Sequence, residues 1–428
     1  MMLAAFLLGL FGFILLNIPI AFALILTTVV LMLLLTGDVS TPIIAQSVIR
    51  GVDSFPLMAI PFFILAGEIM NEGGISRRIV EFARALVGHV TGGLGYVGVV
   101  ASMLFAGVSG SAVADTSAIG SILLPMMDKE GYKKASSASL IAAAGTIGPV
   151  IPPSIPMILF GVIGGVSVVK MFLGGIVPGI LIGIGLMVVW YFHSKKQGYK
   201  SNNKSTLGDV GRAGKSAFWA LILPIIILGG IITGIYTPTE AGVIAVVYSL
   251  FVGKFAYKEL KLTRMPRILT ASAKSTAIVL LLCGAAMSAA YLITTAQIPS
   301  LLTGTLIALS NDNVYLVMFF INILLLLVGM VMDLTPALLI LGPMLLPIAT
   351  GFGLDPVYFG VVMVVNLCIG LITPPVGTVL YVVCGISKLS MGDLVRPVLP
   401  FVAVMIVVLG LITYIPELIT FIPNLVAR

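Results

Sequence analysis

From Leu3 to Leu35 the sequence is apolar almost without interruption. As one helix at ~1.5 Å per residue this stretch would be about 50 Å long, well beyond a ~30 Å hydrocarbon core. Asn17 and Pro19 interrupt it near the middle, and a proline removes a backbone donor from a helix interior, so the pattern predicts two short crossings. No basic stretch precedes the run, which argues against a cleaved signal peptide. Two further runs, 218–235 and 241–253, predict a pair of crossings that turn at Tyr236-Thr237-Pro238-Thr239-Glu240. Polar stretches over 37–53, 75–89, 254–267 and 299–310 are candidates for helices lying along the interface, with solvated loops as the alternative.

The chain repeats itself at a constant offset of 222 positions. Gly107 falls on Gly329, Gly120 on Gly342, Leu123-Leu124-Pro125 on Leu345-Leu346-Pro347, Gly148 on Gly370, Pro152-Pro153 on Pro374-Pro375, and Pro178 on Pro400. Single Gly or Leu identities mean little in so biased a sequence. Two Pro-Pro pairs and two Leu-Leu-Pro triplets in one register indicate an internal duplication. The first repeat is placed at 1–192, a basic cytoplasmic linker at 193–217 and the second repeat at 218–428.

Charge decides the solvent. Of the 428 residues 59% are apolar and only 9% charged, against roughly 25% charged in an ordinary soluble domain, so there is too little polar surface to coat a water-soluble globule. The chain reads as an all-α polytopic membrane protein. Its net charge of +7 sits in short loops, where orientation in the membrane explains it better than a nucleic-acid partner does. Lys195, Lys196, Lys200, Lys204, Arg212 and Lys215, and then Lys254, Lys258, Lys261, Arg264, Arg267 and Lys274, mark two cytoplasmic stretches separated by an even number of crossings. Segment 95–127 has Arg77, Arg78 and Arg84 before it and Lys129, Lys133 and Lys134 after it, so both its ends face the cytoplasm. Its repeat partner, about 314–350, is flanked by Asn311, Asp312, Asn313 and Asp355, so both its ends face the other side, and the two halves are expected to be inverted. The three cysteines and two histidines form neither a disulfide framework nor a metal-ligand spacing.

A segment that begins and ends on one side is either two crossings or a re-entrant hairpin. The small and polar residues from Gly107 to Thr116 and from Gly329 to Pro336 favour two re-entrant helical hairpins, about 95–127 and 314–350, each with its turn lining a cavity. After each comes a transmembrane helix broken at its centre, about 135–165 and 357–385, at Gly148-Pro149-Val150-Ile151-Pro152-Pro153-Ser154 and at Gly370-Leu371-Ile372-Thr373-Pro374-Pro375-Val376-Gly377. Where a helix ends inside the membrane, its last carbonyls can ligate a hard cation such as sodium, helped by the hydroxyls of Ser109, Ser111 or Thr373. Where the next half-helix begins, free amides and the positive dipole end can hold a carboxylate without an arginine. Two acids lie at this depth, where a charge costs ~2.5–3.5 kcal/mol on insertion scales. Asp333 is expected to ligate or shape an ion site, or to cap a helix. Asp115 either serves the site or caps the second hairpin arm. Glu68, followed by Asn71-Glu72-Gly73-Gly74, reads as lying near the cytoplasmic surface. Asn366 either bonds across helices or orients substrate.

These same motifs resemble the large membrane subunit of tripartite ATP-independent periplasmic (TRAP) transporters over essentially the whole chain. The resemblance implies an inverted-repeat fold of the ion-transporter superfamily, with hairpins and broken helices forming a transport core that moves as an elevator against a scaffold. It implies sodium-driven uptake of an organic acid, of the sialic acid or C4-dicarboxylate class, across the bacterial inner membrane. The partners it implies are a small four-helix membrane subunit and a periplasmic substrate-binding protein; Na+ is the coupling ion, with no other cofactor and no ATP. By resemblance, one sodium site uses Ser109 and Ser111 with backbone oxygens of Gly148, Ile151 and Pro153. The other uses Gly329, Met332 and Asp333 with Thr373 and Gly377. The substrate carboxylate is expected between them, near Ser154 and the half-helix starts that follow Pro152 and Pro374, with Asp115 and Asn366 as further candidates.

Two soluble-protein motifs are rejected. Gly93-Leu94-Gly95-Tyr96-Val97-Gly98 fits a dinucleotide fingerprint, but no strand precedes it. Gly214-Lys215-Ser216 lacks the first glycine of a phosphate loop, because position 209 is aspartate. A stand-alone sodium symporter or exchanger of the same superfamily is the alternative reading. An intramembrane enzyme would have only Asp115 and Asp333 as an acid pair.

Overall fold

The computed structural model describes residues 2–35, 41–199 and 206–426, and every regular element among them is helical. The first apolar run is two helices, α1 (Met2–Leu15) and α2 (Ile20–Leu34). Asn17 takes a left-handed φ of 62° and Pro19 caps α2 between them, so the polar residue and the proline act together as the break. Then come α3 (Thr41–Val52), α4 (Ala59–Glu72) and α5 (Ile75–Val87). Residues 37–40 of the first candidate interfacial stretch lie outside the described residues.

The centre of the first half is α6 (Gly93–Ser109), α7 (Ala112–Lys129), α8 (Lys134–Gly145), α9 (Ile155–Ile163) and α10 (Val168–Gln197). After α11 (Leu207–Ile232), α12 (Pro238–Phe251), α13 (Met265–Thr295) and α14 (Ile298–Ser310) the same sequence of elements returns. It consists of α15 (Val314–Gly329), α16 (Leu334–Gly351), α17 (Pro356–Gly370), α18 (Thr378–Ser387) and α19 (Met391–Tyr414), followed by α20 (Glu417–Val426). Shifting α7 by 222 residues gives the bounds of α16, and the same shift carries α6, α8, α9 and α10 onto α15, α17, α18 and α19 to within a few residues. Packing follows the same rule. α7 lies on α18 and its counterpart α16 on α9, while α8 lies on α19 and its counterpart α17 on α10. In both of these pairs the contact made across the halves is returned by its counterpart, the pattern of a two-fold exchange.

Two of the basic stretches take a definite form. Within the stretch expected as a linker over 193–217, residues 193–197 and 207–217 are helical. α10 runs to Gln197, and α11 starts at Leu207 behind a capping box, in which Thr206 accepts the Asp209 amide and the Asp209 carboxylate accepts the Thr206 amide. Segment 254–267 is not an interfacial helix. α12 runs into a π turn at Val252–Ala256, Lys258 takes a left-handed φ of 58°, a 3-10 turn spans Leu262–Arg264, and Pro266 opens α13. Arg78 of α5 holds this connector by pairing with Glu259 at 2.8 Å and stacking on the Tyr257 ring at 3.8 Å, and Arg264 pairs with Glu72 at 2.6 Å.

The basic segments meet at one end of the molecule. Besides those pairs, Arg84 reaches Glu130 in the α7–α8 turn at 3.7 Å, and the Lys133 amide donates to the Tyr199 hydroxyl at 3.0 Å just past α10. Among the described residues seven helical stretches are long and apolar enough to cross a membrane: Phe55–Glu72, Val168–Gln197, Gly208–Ile232, Pro238–Ala256, Leu262–Thr295, Leu334–Gly351 and Met391–Tyr414. α3, α4, α5, α11, α12 and α13 pack on one another as one group, and α6 to α10 with α15 to α19 pack on one another as a second.

Close backbone approach fixes the root of α6 against α10. The fully buried Trp190 donates its indole N–H to the Gly92 carbonyl at 2.8 Å, and a Cβ on Gly95 would fall 2.0 Å from its ring. Gly95→Ala is therefore expected to cost about 1–3 kcal/mol as an overpacked contact, read as a lower unfolding temperature in detergent. Gly229→Ala, which meets nothing within 4 Å, should leave that temperature unchanged.

Candidate functional site

Four interruptions in helices build the site. The first lies between α6 and α7, where Ser109 ends one helix and Gly110, at φ 61°, turns the chain left-handed. Only glycine fits this turn, because a Cβ there would sit 2.8 Å from the Pro153 carbonyl and 3.1 Å from the Ile155 amide. Ser111 then caps α7, accepting the Ala114 amide at 3.4 Å, and its own amide donates to the Ser109 hydroxyl at 3.2 Å. The second interruption, residues 146–154, packs on this turn. Ser109 Oγ donates to Asp115 Oδ1, while Asp115 Oδ2 is wholly buried beside Gly148, without a hydrogen-bond partner.

The third and fourth interruptions repeat the arrangement with different residues. Gly329 ends α15 directly against Gly370 at the end of α17, so close that a Cβ on Gly370 would lie 2.4–2.6 Å from Gly329 backbone atoms. The Val376 amide donates to the Met330 carbonyl at 3.3 Å. Asp333 stands at the start of α16, the position equivalent to Ser111, but its side chain does not cap that helix; Oδ1 accepts the Thr378 hydroxyl of α18 at 3.1 Å. The structure thus brings Ser109, Ser111, Gly148 and Pro153 into one neighbourhood, and Gly329, Met332, Asp333 and Gly377 into another. Ile151 turns its side chain onto Gly179 of α10. The Thr373 hydroxyl donates to Ile369 at 2.7 Å within its own turn.

A cavity of about 210 Å³ lies between the two hairpin turns. Three helix starts meet it: Ala112–Ala114 of α7, Ile155 and Pro156 of α9, and Leu334 and Thr335 of α16. The amides of a first helical turn have no intrahelical backbone acceptor and carry the positive end of the dipole; here the Ala114 amide is taken by Ser111 and Pro156 has none, so the donors offered to the cavity come from Ala112, Val113, Ile155, Leu334 and Thr335. No lysine or arginine is among the residues lining this cavity. The opposite wall is α4 and α13, with Phe63, Ile64, Gly67, Glu68, Asn71, Ser275 and Val279. A wider chamber of about 640 Å³ shares Glu68, Asn71, Ser111 and Ser275 and leads past Ser117 and Ser121 to Gly74 and Arg77, at the basic end of the molecule.

The five substrate candidates are placed elsewhere. Ser154 is fully buried as the cap of α9, donating to the Pro149 carbonyl and accepting the Met157 amide at 3.3 Å. Asp115 faces Ser109 and Gly148 behind the turn. Pro152 and Pro374 belong to the breaks but not to the cavity lining. Asn366, fully buried, donates to the Asn322 carbonyl at 3.0 Å and to its side-chain oxygen at 2.8 Å, and Asn322 donates to Thr413 at 3.1 Å, so it ties α17 to α15 and α19. Glu68, expected near the cytoplasmic surface, lines both this cavity and the wider chamber that leads to the basic end. Sequence reasoning named Gly110 and Gly370 only as parts of a turn and a break, and it missed Thr378. Thr378 had a signal, a hydroxyl residue directly after the second double-proline motif.

Long apolar helices bracketing interrupted ones, with helix ends converging on an interior cavity, define a polytopic membrane protein that can hold a small polar solute within protein. The chain matches the tripartite ATP-independent periplasmic transporter DctM component over residues 7–418. It is 46% identical to the 2,3-diketo-L-gulonate TRAP transporter large permease protein YiaN of Escherichia coli, covering 96% of each chain. It is 39% identical to the sialic acid TRAP transporter large permease protein SiaM of Vibrio cholerae, covering 96% of this chain and 95% of that one. It is also 40% identical to the C4-dicarboxylate TRAP transporter large permease protein DctM of Pseudomonas aeruginosa, over 87% of each. Among solved structures its fold is similar to the YdaH transporter of Alcanivorax borkumensis, with a TM-score of 0.65 at 14% identity over 89% of both chains. The chain belongs to the DctM family of TRAP transporter large permease subunits and is a multi-pass inner-membrane transporter subunit.

Removing the Thr378 hydroxyl leaves the Asp333 carboxylate without its one side-chain partner. Thr378→Val is expected to lower stability by about 0.5–1.5 kcal/mol, the loss of one part-buried hydrogen bond. Thr378→Ser, which keeps the hydroxyl, should retain wild-type unfolding in the same assay.

Proposed function

We propose that this chain is the permease through which a sodium gradient drives uptake of an organic acid. The observation that carries the reading is the convergence of three helix starts on one cavity that no lysine or arginine lines. Such a cavity suits a carboxylate held by backbone amides. The hairpin and break neighbourhoods supply the complementary half. At each, carbonyls released by a helix end lie beside a carboxylate, Asp115 at the first and Asp333 at the second, the donor set that sodium prefers. In this reading site one comprises Ser109, Ser111, Gly148, Ile151 and Pro153, and site two Gly329, Met332, Asp333, Thr373 and Gly377. Cation binding neutralises the buried carboxylates, draws each turn onto its break and so orders the amide-lined cavity between them. Sodium and solute binding are thereby coupled through shared backbone.

The hairpins are re-entrant in this proposal, since their turns meet in the interior rather than at either end. The helices that repeat at the 222-residue offset form an inverted pair that moves as an elevator against the group of α3, α4, α5, α11, α12 and α13. The outer chamber reaches Arg77 at the basic end, so this arrangement is the one open to the cytoplasm. The named relatives extend the reading to a small membrane subunit and a periplasmic binding protein, and to acids of the kind their names carry.

In proteoliposomes holding this chain with its small subunit, uptake of a labelled acid is expected to require both an inward sodium gradient and a matched binding protein. Ser109→Ala and Asp333→Asn should each raise the sodium concentration for half-maximal uptake by about tenfold, as loss of a charged or hydroxyl ligand implies. Equal uptake in potassium would remove the sodium reading, and uptake without a binding protein would make the chain a stand-alone symporter.

A further inference from the structure

The cavity has two unlike walls. One consists of the helix starts, which present amides, together with the Ser109 and Ser111 hydroxyls and the Asp333 carboxylate that the proposed sodium neutralises. The other presents acceptors and amphoteric groups: the Glu68 carboxylate and the Asn71 amide, three positions apart and so on one face of α4, and the Ser275 hydroxyl of α13. All three also line the outer chamber, so a solute meets them on its way between the mouth and the interior.

Glu68 is half-buried and, among the described residues, forms no ion pair. The nearby arginines are engaged elsewhere, Arg77 with Glu81, Arg78 with Glu259 and Arg264 with Glu72. Asn71 Oδ1 accepts the Ser76 hydroxyl at 2.7 Å, which fixes the amide and leaves its NH2 group for a solute. An unpaired carboxylate in a wall otherwise made of Phe63, Ile64 and Val279 is costly without a donor to satisfy it.

We infer that Glu68, Asn71 and Ser275 read hydroxyl groups, so that the site takes a polyhydroxylated monocarboxylate, a sugar acid, in preference to a plain dicarboxylate. A carboxylate only accepts hydrogen bonds, and a solute hydroxyl donates one. A second solute carboxylate brought to this wall would be another acceptor and another negative charge, in a cavity whose apolar lining screens it poorly. Bound with its carboxylate at the helix starts of α7, α9 and α16, a sugar acid extends its hydroxyls toward α4 and satisfies both walls. This assignment rests on the cavity being the organic-anion site.

The test is ligand-induced thermal stabilisation of the full chain, with its small membrane partner, in lipid nanodiscs with sodium present. The probes are gluconate, a carboxylate on a hydroxylated chain; succinate, a dicarboxylate without hydroxyls; and hexanoate, which has neither feature. Gluconate should stabilise the wild type at concentrations at least about tenfold below those needed for succinate or hexanoate, because a site built for hydroxyls rejects analogues that lack them. Glu68→Gln should narrow the gap between gluconate and succinate by about tenfold, mainly by admitting succinate, as removal of a like charge requires. Wild-type protein that takes succinate as well as gluconate would overturn the inference, as would a folded Glu68→Gln protein with an unchanged ratio. If Glu68→Gln does not fold, the wild-type ratio decides alone. If none of the three acids stabilises the wild type, the cavity is not an anion site and the parent reading falls with this one.

Discussion

A backbone that stops being helical inside a protein must find partners for its amides and carbonyls, because an apolar interior offers none. The architecture of this chain answers that demand at four interruptions, by setting each against another. The turn at Gly110 rests on the backbone of Pro153 and Ile155, and Gly329 rests on Gly370. In the proposed account packing and solute chemistry share a cause: the groups left over after the interruptions satisfy one another are the ones offered to ions and anions.

The two neighbourhoods are alike in backbone and different in side chain. Ser111 and Asp333 occupy equivalent positions at the starts of α7 and α16, yet one caps its own helix and the other reaches across to Thr378. Each half contributes one acid, but from non-equivalent positions, since Asp115 corresponds to Ala337. Duplication thus supplied the frame and left the polar residues free to diverge.

Much of this frame was legible in the sequence because it is written in residues whose backbone effects are local. Asn17 with Pro19, the two double prolines and the constant offset mark where helices stop, and a stop needs no knowledge of tertiary structure. The direction of a side chain is a different matter. Ser154, Asn366 and Asp115 carry the right chemistry at the right depth, but each is turned into protein, toward Pro149, Asn322 and Ser109. Glu68 illustrates the converse. Its sequence neighbours Asn71, Glu72, Gly73 and Gly74 resemble a surface turn, and only the packing of α4 alongside the hairpin turns makes it a cavity residue. The basic stretch before α11 was read as linker because charge outweighed the capping box of Thr206 and Asp209, a local signal present in the sequence.

The central claim is that helix ends, rather than charged side chains, hold both the ions and the acid. The most direct measurement is a high-resolution density map of the chain with its membrane partner in lipid, with sodium and a transported acid bound. The account predicts cations at the two junctions, beside Gly148 with Pro153 and beside Gly329 with Asp333, and a carboxylate against the amides that open α7, α9 and α16. A carboxylate held by a lysine or arginine away from those helix starts, or junctions without cations in saturating sodium, would contradict it.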